Sequence, residues 1–484
     1  MGASGKNVQV RAESERGGGR YGRLLAGLIV VAALLLPAAQ ASAARPLTTG
    51  FADLAFISGD PQIRDRAFEK AVEVGAGIAR LPVFWNQIAS GPPANPIDPG
   101  DPAYSFDALD AAVIDAHSRG LEVLLTVSHA PAYAEAPDRP AYIAPGSWRP
   151  SPLAFAQFAA ALAIRYSGVY PGPSGPLPRV RLYQAWNEPN LETYLSPQYE
   201  GGALFAASHY REMLNAFYDA VKAVRANNRV ITAGTAPYGD ATGSGRSRPL
   251  TFWRDVLCLS KGKLTAVPCP AKARFDVLAH HPINTSGGPR TSARNPDDAS
   301  TPDFGNVVDV LRAAERHGTV GTPGRHQAWA TEIWWETNPP DTFQGVPLRR
   351  QARWLAQAQY LLWEQRARVI IGYPVIDLPY EPNMPFNVTS SGILFADGTP
   401  KPAARSFAFP FVVERRKRAS GIAWGRSPRA GKLRVESRVR GKWVRVGSVR
   451  VKAGATFKAR VPLDGSRGMR ARVSGIKSPV WRIR

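Results

Sequence analysis

The sequence predicts an α/β chain: a (β/α)8 barrel of the TIM type followed by a small antiparallel β-sandwich. Three observations lead there. Between residues 50 and 410, short β-branched or apolar runs alternate with stretches of helical period. After Lys432 the period switches to two. The charge shifts too: residues 411–484 hold 22 Lys+Arg against 3 Asp+Glu, whereas residues 44–410 hold 34 against 33. A chain of 484 residues also exceeds what one hydrophobic core organises.

At the N-terminus, residues 24–39 form an uncharged apolar run behind Arg20 and Arg23, and Ala41-Ser42-Ala43 follows. That is the pattern of a secretory signal peptide cleaved near Ala43, with a mature start near Ala44. The run is shorter than the ~20 residues that span a bilayer. The expectation is a secreted, extracellular protein with no transmembrane segment in the mature chain. Three regions follow: a leader over 1–43, a catalytic barrel over 44–410 and a basic sandwich over 411–484. In an exported chain, Cys258 and Cys269 predict a disulfide. Two cysteines without histidine at ligand spacing do not make a metal site, and no cofactor is expected.

The predicted strands cover 50–57, 77–84, 121–128, 181–187, 229–235, 275–281, 327–333 and 367–374. The predicted helices cover 61–74, 106–119, 152–166, 204–227, 249–259, 302–317 and 347–365, with a last one from Pro402. Ser151 before Pro152 reads as a helix cap, and Asp60 and Ser105 serve the same purpose for their helices. A doubly wound open sheet is the alternative topology, but no Gly-x-Gly-x-x-Gly turn follows the first strand.

In a barrel, chemistry sits where strands end. Strand four runs into Trp186-Asn187-Glu188-Pro189, and the proline favours extended geometry at Glu188. Strand seven carries Glu332. Two carboxyl groups across one barrel mouth suit retaining glycoside hydrolysis, with Glu188 as a proton donor of raised pKa and Glu332 as the ionised nucleophile. Arg80 or His281 would hold Glu332 ionised. Asn187 would bond a sugar 2-hydroxyl. Trp85, Trp334 and Trp335 would offer flat faces at the mouth. His129 and Tyr373 complete the substrate-binding set. His280 is expected to pack structurally, Trp186 and Trp329 to face the core, and Glu336 to compete weakly with Glu332.

Arg80-Leu81-Pro82-Val83, Trp186-Asn187-Glu188-Pro189, His280-His281-Pro282 and Thr331-Glu332 fall in order at barrel spacing. Together they resemble glycoside hydrolase clan A, especially its cellulase-like family 5 and β-xylosidase-like family 39. The stretch from Gly392 to Ala403 is similar to the end of that barrel. The resemblance covers roughly residues 50–410. It implies a retaining mechanism with Glu188 as acid/base and Glu332 as nucleophile, supported by Arg80 and His281. The chain departs from the family pattern at Ile283, where a tyrosine is usual near strand six. It departs again at strand eight, which offers Tyr373 in place of a tryptophan.

In the tail, Leu433, Val435 and Val439 share one strand face, and Lys432, Arg434, Arg438 and Arg440 share the other. Gly441, Gly454 and Asp464-Gly465 mark turns, and residues 411–420 read as the boundary. A net charge this positive suits an anionic polysaccharide, cell-wall polymer or lipid surface; no nucleic-acid recognition signature is present. The expected function is a secreted retaining glycosidase acting on a carbohydrate substrate. The alternatives are a catalytically silent carbohydrate- or wall-binding barrel, and an enzyme for acidic sugars using Arg290, Arg294 or Arg349.

Overall fold

The computed structural model describes residues 39–40, 42–381 and 388–483. All but the last few residues of the expected leader lie outside them. Eight parallel strands close into a barrel: β1 (Thr48–Ala52), β2 (Ile78–Phe84), β3 (Glu122–Ser128), β4 (Leu182–Ala185), β5 (Arg229–Thr232), β6 (Val277–His280), β7 (Gln327–Ile333) and β8 (Val369–Gly372). Neighbours in sequence are neighbours in space. Val369 opposite Thr48 closes the ring. The closed ring excludes the open-sheet alternative. The longer helices are α1 (Pro61–Glu73), α2 (Asp107–Ser118), α3 (Pro152–Arg165), α4 (Phe205–Val224), α5 (Pro249–Val256), α6 (Phe304–His317), α7 (Leu348–Glu364) and α8 (Pro402–Ala408), and a single helical turn covers Trp85–Ile88.

Local chemistry sets most of these boundaries. The Asp60 carboxylate accepts from the Gln62 amide at 2.8 Å, and the Ser151 hydroxyl from Ala154 at 3.3 Å. Ser105 does not cap: α2 starts one residue later, behind Phe106, which makes no side-chain cap. There Asp107 and Asp110 place negative charge on the helix's positive end. Gly318 ends α6 with φ 64°, a left-handed turn that costs glycine little. Cys258 and Cys269 are disulfide-bonded, with Cα atoms 5.9 Å apart.

Period-two alternation sorts each barrel strand into two faces. Ile78, Leu124, Leu182, Ile231, Trp329 and Ile371 fill the interior as one buried cluster. The outward residues pack under the helices. Each apolar side chain so buried stabilises by roughly 1.5–3 kcal/mol.

The C-terminal region is a sandwich of two antiparallel sheets. One contains β9 (Phe411–Lys417), β10 (Ser420–Arg426) and β13 (Thr456–Pro462). The other contains β11 (Gly431–Val439), β12 (Lys442–Val451) and β14 (Ser466–Val473). Residues 411–420, expected as a boundary, are mostly the first of these strands. Ser42–Ala43 adds to β13 beside Phe457 and Lys458. The sandwich also packs on the barrel. Trp424 lies 5.6 Å from Tyr360 and 5.7 Å from Trp363, both on α7, and the Arg426 guanidinium donates to the Gly75 carbonyl at 2.9 Å.

One buried ion pair ties the upper loops together. The Lys401 ammonium donates to Asp377 (2.8 Å), the Thr337 hydroxyl (2.8 Å) and the Ser390 carbonyl (2.9 Å). Burial pushes the Asp377 pKa up to about 6 against the pull of Lys401. Lys401→Met should therefore cost about 3–5 kcal/mol at pH 8, because it strands a buried carboxylate. At pH 5 the orphaned Asp377 can protonate, so the loss should shrink. Denaturant unfolding at the two pH values checks this; equal losses would mean that water already solvates the pair.

Candidate active site

The cavity at the C-terminal end of the barrel holds about 420 Å³. Its walls include Asp53, Arg80, Phe84, His129, Asn187, Glu188, Tyr194, Tyr238, Glu332, Trp334 and Tyr373. The expected Glu188, Glu332, Arg80, Asn187, His129, Trp334 and Tyr373 are all there.

Arg80 points into the barrel by alternation and is almost fully buried. Its guanidinium reaches four neighbours: Thr126 (3.1 Å) and Gln184 (2.9 Å) through Nε, Glu332 (3.2 Å) through Nη1, and Asn187 (2.7 Å) through Nη2. The Thr126 hydroxyl also donates to Gln184 (2.8 Å), whose amide donates to the Thr232 carbonyl (2.9 Å). The cation is thus locked across β2, β3, β4 and β7. The Asn187 carbonyl oxygen is occupied by Arg80, which leaves its NH₂ as the end available to a ligand.

Glu332 sits in a slip of register. Ala330 pairs with Ile370 and Ile333 with Gly372, so one residue is extra on β7. Such an irregularity re-aims a side chain, and Glu332 reaches the cavity beside the inward Thr331. One carboxylate oxygen faces Arg80, and the other accepts from the Trp334 indole at 3.2 Å.

Glu188 is not in extended geometry as expected. Its φ is 38°, and Trp186 has φ 78°. β4 ends at Ala185, and the chain coils sharply through three further residues before Pro189. Backbone strain of this kind persists only where surroundings hold it. Here the Glu188 amide donates to the Gly234 carbonyl (3.0 Å) and the Trp186 indole to the Tyr194 carbonyl (2.8 Å). Burial pushes the Glu188 pKa up to about 7, against the opposing charge of Arg80.

His281 Nδ1 stands 2.8 Å from Glu188 and 3.9 Å from Glu332. The two carboxyl oxygens it touches are therefore no more than about 6.7 Å apart. Burial pulls the His281 pKa down to about 3, so the contact with Glu188 is a hydrogen bond of a neutral imidazole and not an ion pair. Of the two groups expected to hold Glu332 ionised, Arg80 is the one placed as a cation beside it, at 3.2 Å. His280 packs structurally, between the Thr235 hydroxyl (2.9 Å) and the Ala299 carbonyl (2.7 Å).

Two tryptophans are elsewhere. Trp85 is fully buried and stacks on Phe158, with ring centroids 5.3 Å apart. On β2, residues 78, 80, 82 and 84 point inward, so Phe84 takes the cavity and Trp85 turns under the helices. Trp335 is buried against Trp354 (5.8 Å) and donates to the Gly287 carbonyl. Of the arginines considered for an acidic sugar, Arg290 pairs with Glu414, and neither it nor Arg349 lines this cavity. Glu336 is also outside the cavity; burial, then Asp341, raises its pKa to about 8.

Sequence reading missed Asp53, Tyr194 and Tyr238. Asp53 follows β1 directly, which was a usable signal. Its carboxylate accepts from the amides of Ala55 (2.8 Å) and Val375 (2.8 Å), and burial lifts its pKa to about 6. The two tyrosines come from long loops, where no periodicity announces a direction.

No family model matches the sequence, and no curated protein matches it. Solved structures do. A family 39 glycoside hydrolase from the gut symbiont Bacteroides cellulosilyticus WH2 aligns over 86% of this chain and 81% of its own, at 15% identity and a TM-score of 0.55. At that identity the likeness carries the fold, a barrel with an appended β-domain, and not the activity. A glucosidase from Croceicoccus marinus (14% identity, 87% of this chain and 98% of that one, TM-score 0.48) overlaps more loosely. So does a monomeric β-xylosidase from Caulobacter crescentus CB15 (13%, 87% and 97%, TM-score 0.49).

Gly234 limits what this site tolerates. A Cβ there would lie 2.1 Å from His281 Nε2 and 2.8 Å from the Thr331 hydroxyl. Gly234→Ala should displace His281 from Glu188 and lower any activity of the site by about 10²-fold, with a smaller effect on thermal unfolding. Wild-type kinetics in the alanine variant would show that the imidazole shifts freely.

Proposed function

We propose that this protein is a secreted retaining β-glycoside hydrolase acting by double displacement, with Glu188 as acid/base and Glu332 as nucleophile. The observation that carries the proposal is the difference between the two carboxyl groups. Glu188 is held near pKa 7 by burial, and Glu332 is flanked by the Arg80 guanidinium. Two titratable groups with divergent environments are the signature of an acid and a nucleophile. The bound of about 6.7 Å between their nearest oxygens is compatible with the ~5–5.5 Å of a pair that attacks directly. Inverting enzymes need roughly 6.5–9.5 Å to admit a water.

The steps follow from the contacts. Glu188 transfers its proton to the glycosidic oxygen as the bond to the anomeric carbon breaks. Glu332 attacks that carbon from the opposite face and forms a glycosyl ester. Glu188, now ionised, takes a proton from water, whose oxygen displaces Glu332. The neutral imidazole carries one proton. Placing it on Nδ1 lets His281 donate to Glu188 Oε1, which leaves Oε2 as the proton-carrying oxygen. The Trp334 indole N–H and Arg80 together fix Glu332, a task that the usual strand-six tyrosine would share; Ile283 cannot. The Asn187 NH₂ would bond the 2-hydroxyl of the sugar.

We also propose that the outer face of the sheet containing β11, β12 and β14 docks on an anionic polysaccharide. Arg434 lies opposite Arg472, and Arg472 opposite Lys477; Lys432 lies opposite Arg450. Like charges directly opposite repel, and a polyanion would relieve them. The barrel-facing arginines, Arg416 on Glu364 and Arg426 on Gly75, are already engaged. Replacing Lys432, Arg434 and Arg472 with glutamine should weaken low-salt binding to polyuronate about tenfold or more. Unchanged retention on a polyuronate column would overturn the docking role.

Hydrolysis of a broad panel of aryl β-glycosides and soluble polysaccharides tests the enzyme reading. Glu188→Gln should lose about 10²–10⁴-fold, and Glu332→Gln should lose all turnover. NMR should show that the first-formed product keeps the β configuration. Because Glu188 acts protonated, kcat/KM should fall above its pKa of about 7, and the fall should flatten for a dinitrophenyl leaving group that needs no proton. Turnover surviving in Glu332→Gln would assign the wrong nucleophile. Binding without cleavage would favour a silent carbohydrate-binding barrel.

A further inference from the structure

Nε2 of His281 and the hydroxyl of Thr331 are buried polar atoms that meet no hydrogen-bonding group among the described residues. Both side chains are fully buried. The register of the barrel brings them together. His280 lies opposite Ala330 at the end of the ladder between β6 and β7, so His281 and Thr331 follow as neighbours on the inward face of adjacent strands. Gly234, just past β5, lies against both. A Cβ there would be 2.1 Å from Nε2 and 2.8 Å from the hydroxyl oxygen, which puts those two atoms no more than about 4.9 Å apart. Thr331 is not among the residues that line the cavity. Its hydroxyl approaches the imidazole at Nε2, while Nδ1 faces the two carboxyl groups.

Leaving a buried polar atom unpaired is costly, and pairing these two with each other removes both costs. Which of them donates follows from the other end of the ring. A neutral imidazole has one N–H and one lone pair. Nδ1 stands 2.8 Å from a Glu188 oxygen and 3.9 Å from the Glu332 oxygen that also faces Arg80. A lone pair on Nδ1 would repel the Glu332 carboxylate, and would repel Glu188 as well whenever that group gives up its proton. An N–H on Nδ1 attracts both. The lone pair is then on Nε2, where a hydroxyl can only donate. We infer that Thr331 is a positioning residue: its hydroxyl turns onto Nε2 of His281, donates there, and holds the imidazole in the Nδ1–H tautomer. That tautomer bonds Glu188 at Oε1 and keeps Oε2 for the glycosidic oxygen. Thr331 thus acts on proton transfer through His281 and touches no sugar.

The effect on rate rests on the glycosidase reading, but the tautomer can be measured without turnover. At pH 7 burial keeps the His281 imidazole neutral. In protein labelled with 15N-histidine, protonated and unprotonated ring nitrogens then give separate resonances, and those of His281 are identified by their loss in His281→Gln. Wild type should carry its proton on Nδ1. Thr331→Val keeps the branched shape and should move His281 toward the Nε2–H form, whereas Thr331→Ser keeps the hydroxyl and should retain the wild-type pattern. For the sugar the enzyme accepts, kcat/KM on the phenyl β-glycoside should fall by about tenfold in Thr331→Val and recover in Thr331→Ser. The dinitrophenyl β-glycoside, whose leaving group needs no proton, should change by less than about twofold. An Nε2–H wild type would overturn the inference even should the valine variant misfold. So would a folded Thr331→Val that keeps the wild-type resonances, or one that loses rate equally on both glycosides; either result leaves the hydrolase intact. Wild-type protein that cleaves no glycoside would overturn the glycosidase reading, and the resonances would still decide what Thr331 does to His281.

Discussion

The burial of the Arg80 guanidinium is the constraint on which this site depends. A cation inside a barrel is costly unless every donor is met and a counter-charge is close. Thr126, Gln184, Asn187 and Glu332 meet it from three strands and one loop. Thr126, Gln184 and Glu332 are fixed in turn. Gln184 is held between the Thr126 hydroxyl and the Thr232 carbonyl, and Glu332 between Arg80 and the Trp334 indole. The ring of β-strands therefore does more than surround the cavity. It sets the positions of charged atoms through a hydrogen-bonded network that cannot relax piecemeal.

The other carboxyl group is managed by the opposite device. Glu188 is held by strained backbone and set beside a neutral imidazole, with Arg80 opposing its burial only in part. Burial alone would neutralise it, and a close cation alone would ionise it fully. The result near pKa 7 is a balance that places proton loss in the physiological range. The absence of a Cβ at Gly234 is part of the same balance, because it admits His281 to the position from which it reaches Glu188.

The sandwich and the barrel are joined by more than a tether. Trp424 of β10 packs on Tyr360 and Trp363 of α7, and Trp363 in turn donates to the Arg45 carbonyl ahead of β1. Both ends of the barrel chain are held against this seam. Part of the basic charge of the last 74 residues is spent there, Arg416 on Glu364 and Arg426 on the Gly75 carbonyl, while Glu414 of the same region takes Arg290 from the barrel side. Lys432, Arg434, Arg450, Arg472 and Lys477 face outward in cross-strand rows.

Repeating apolar runs and helical stretches determined the barrel from sequence alone, since burial on both faces of a parallel strand leaves a readable pattern. The motifs at the strand ends also pointed to Arg80 and His281 as site residues and left His280 to pack, an assignment for which alternation along β2 and β6 supplies the reason. The same rule, applied strictly along β2, would have sent Trp85 to the core and Phe84 to the cavity. Only the tertiary structure decided the rest. The slip that aims Glu332 depends on pairing between β7 and β8, and pairing is invisible in one strand's sequence. The left-handed turn at Glu188 runs against the local preference before proline and exists because nearby Tyr194, with Gly234 and His281 from distant parts of the chain, holds it. Tyr194 and Tyr238 reach the cavity from loops, whose direction is set by what they pack against and not by any period of their own.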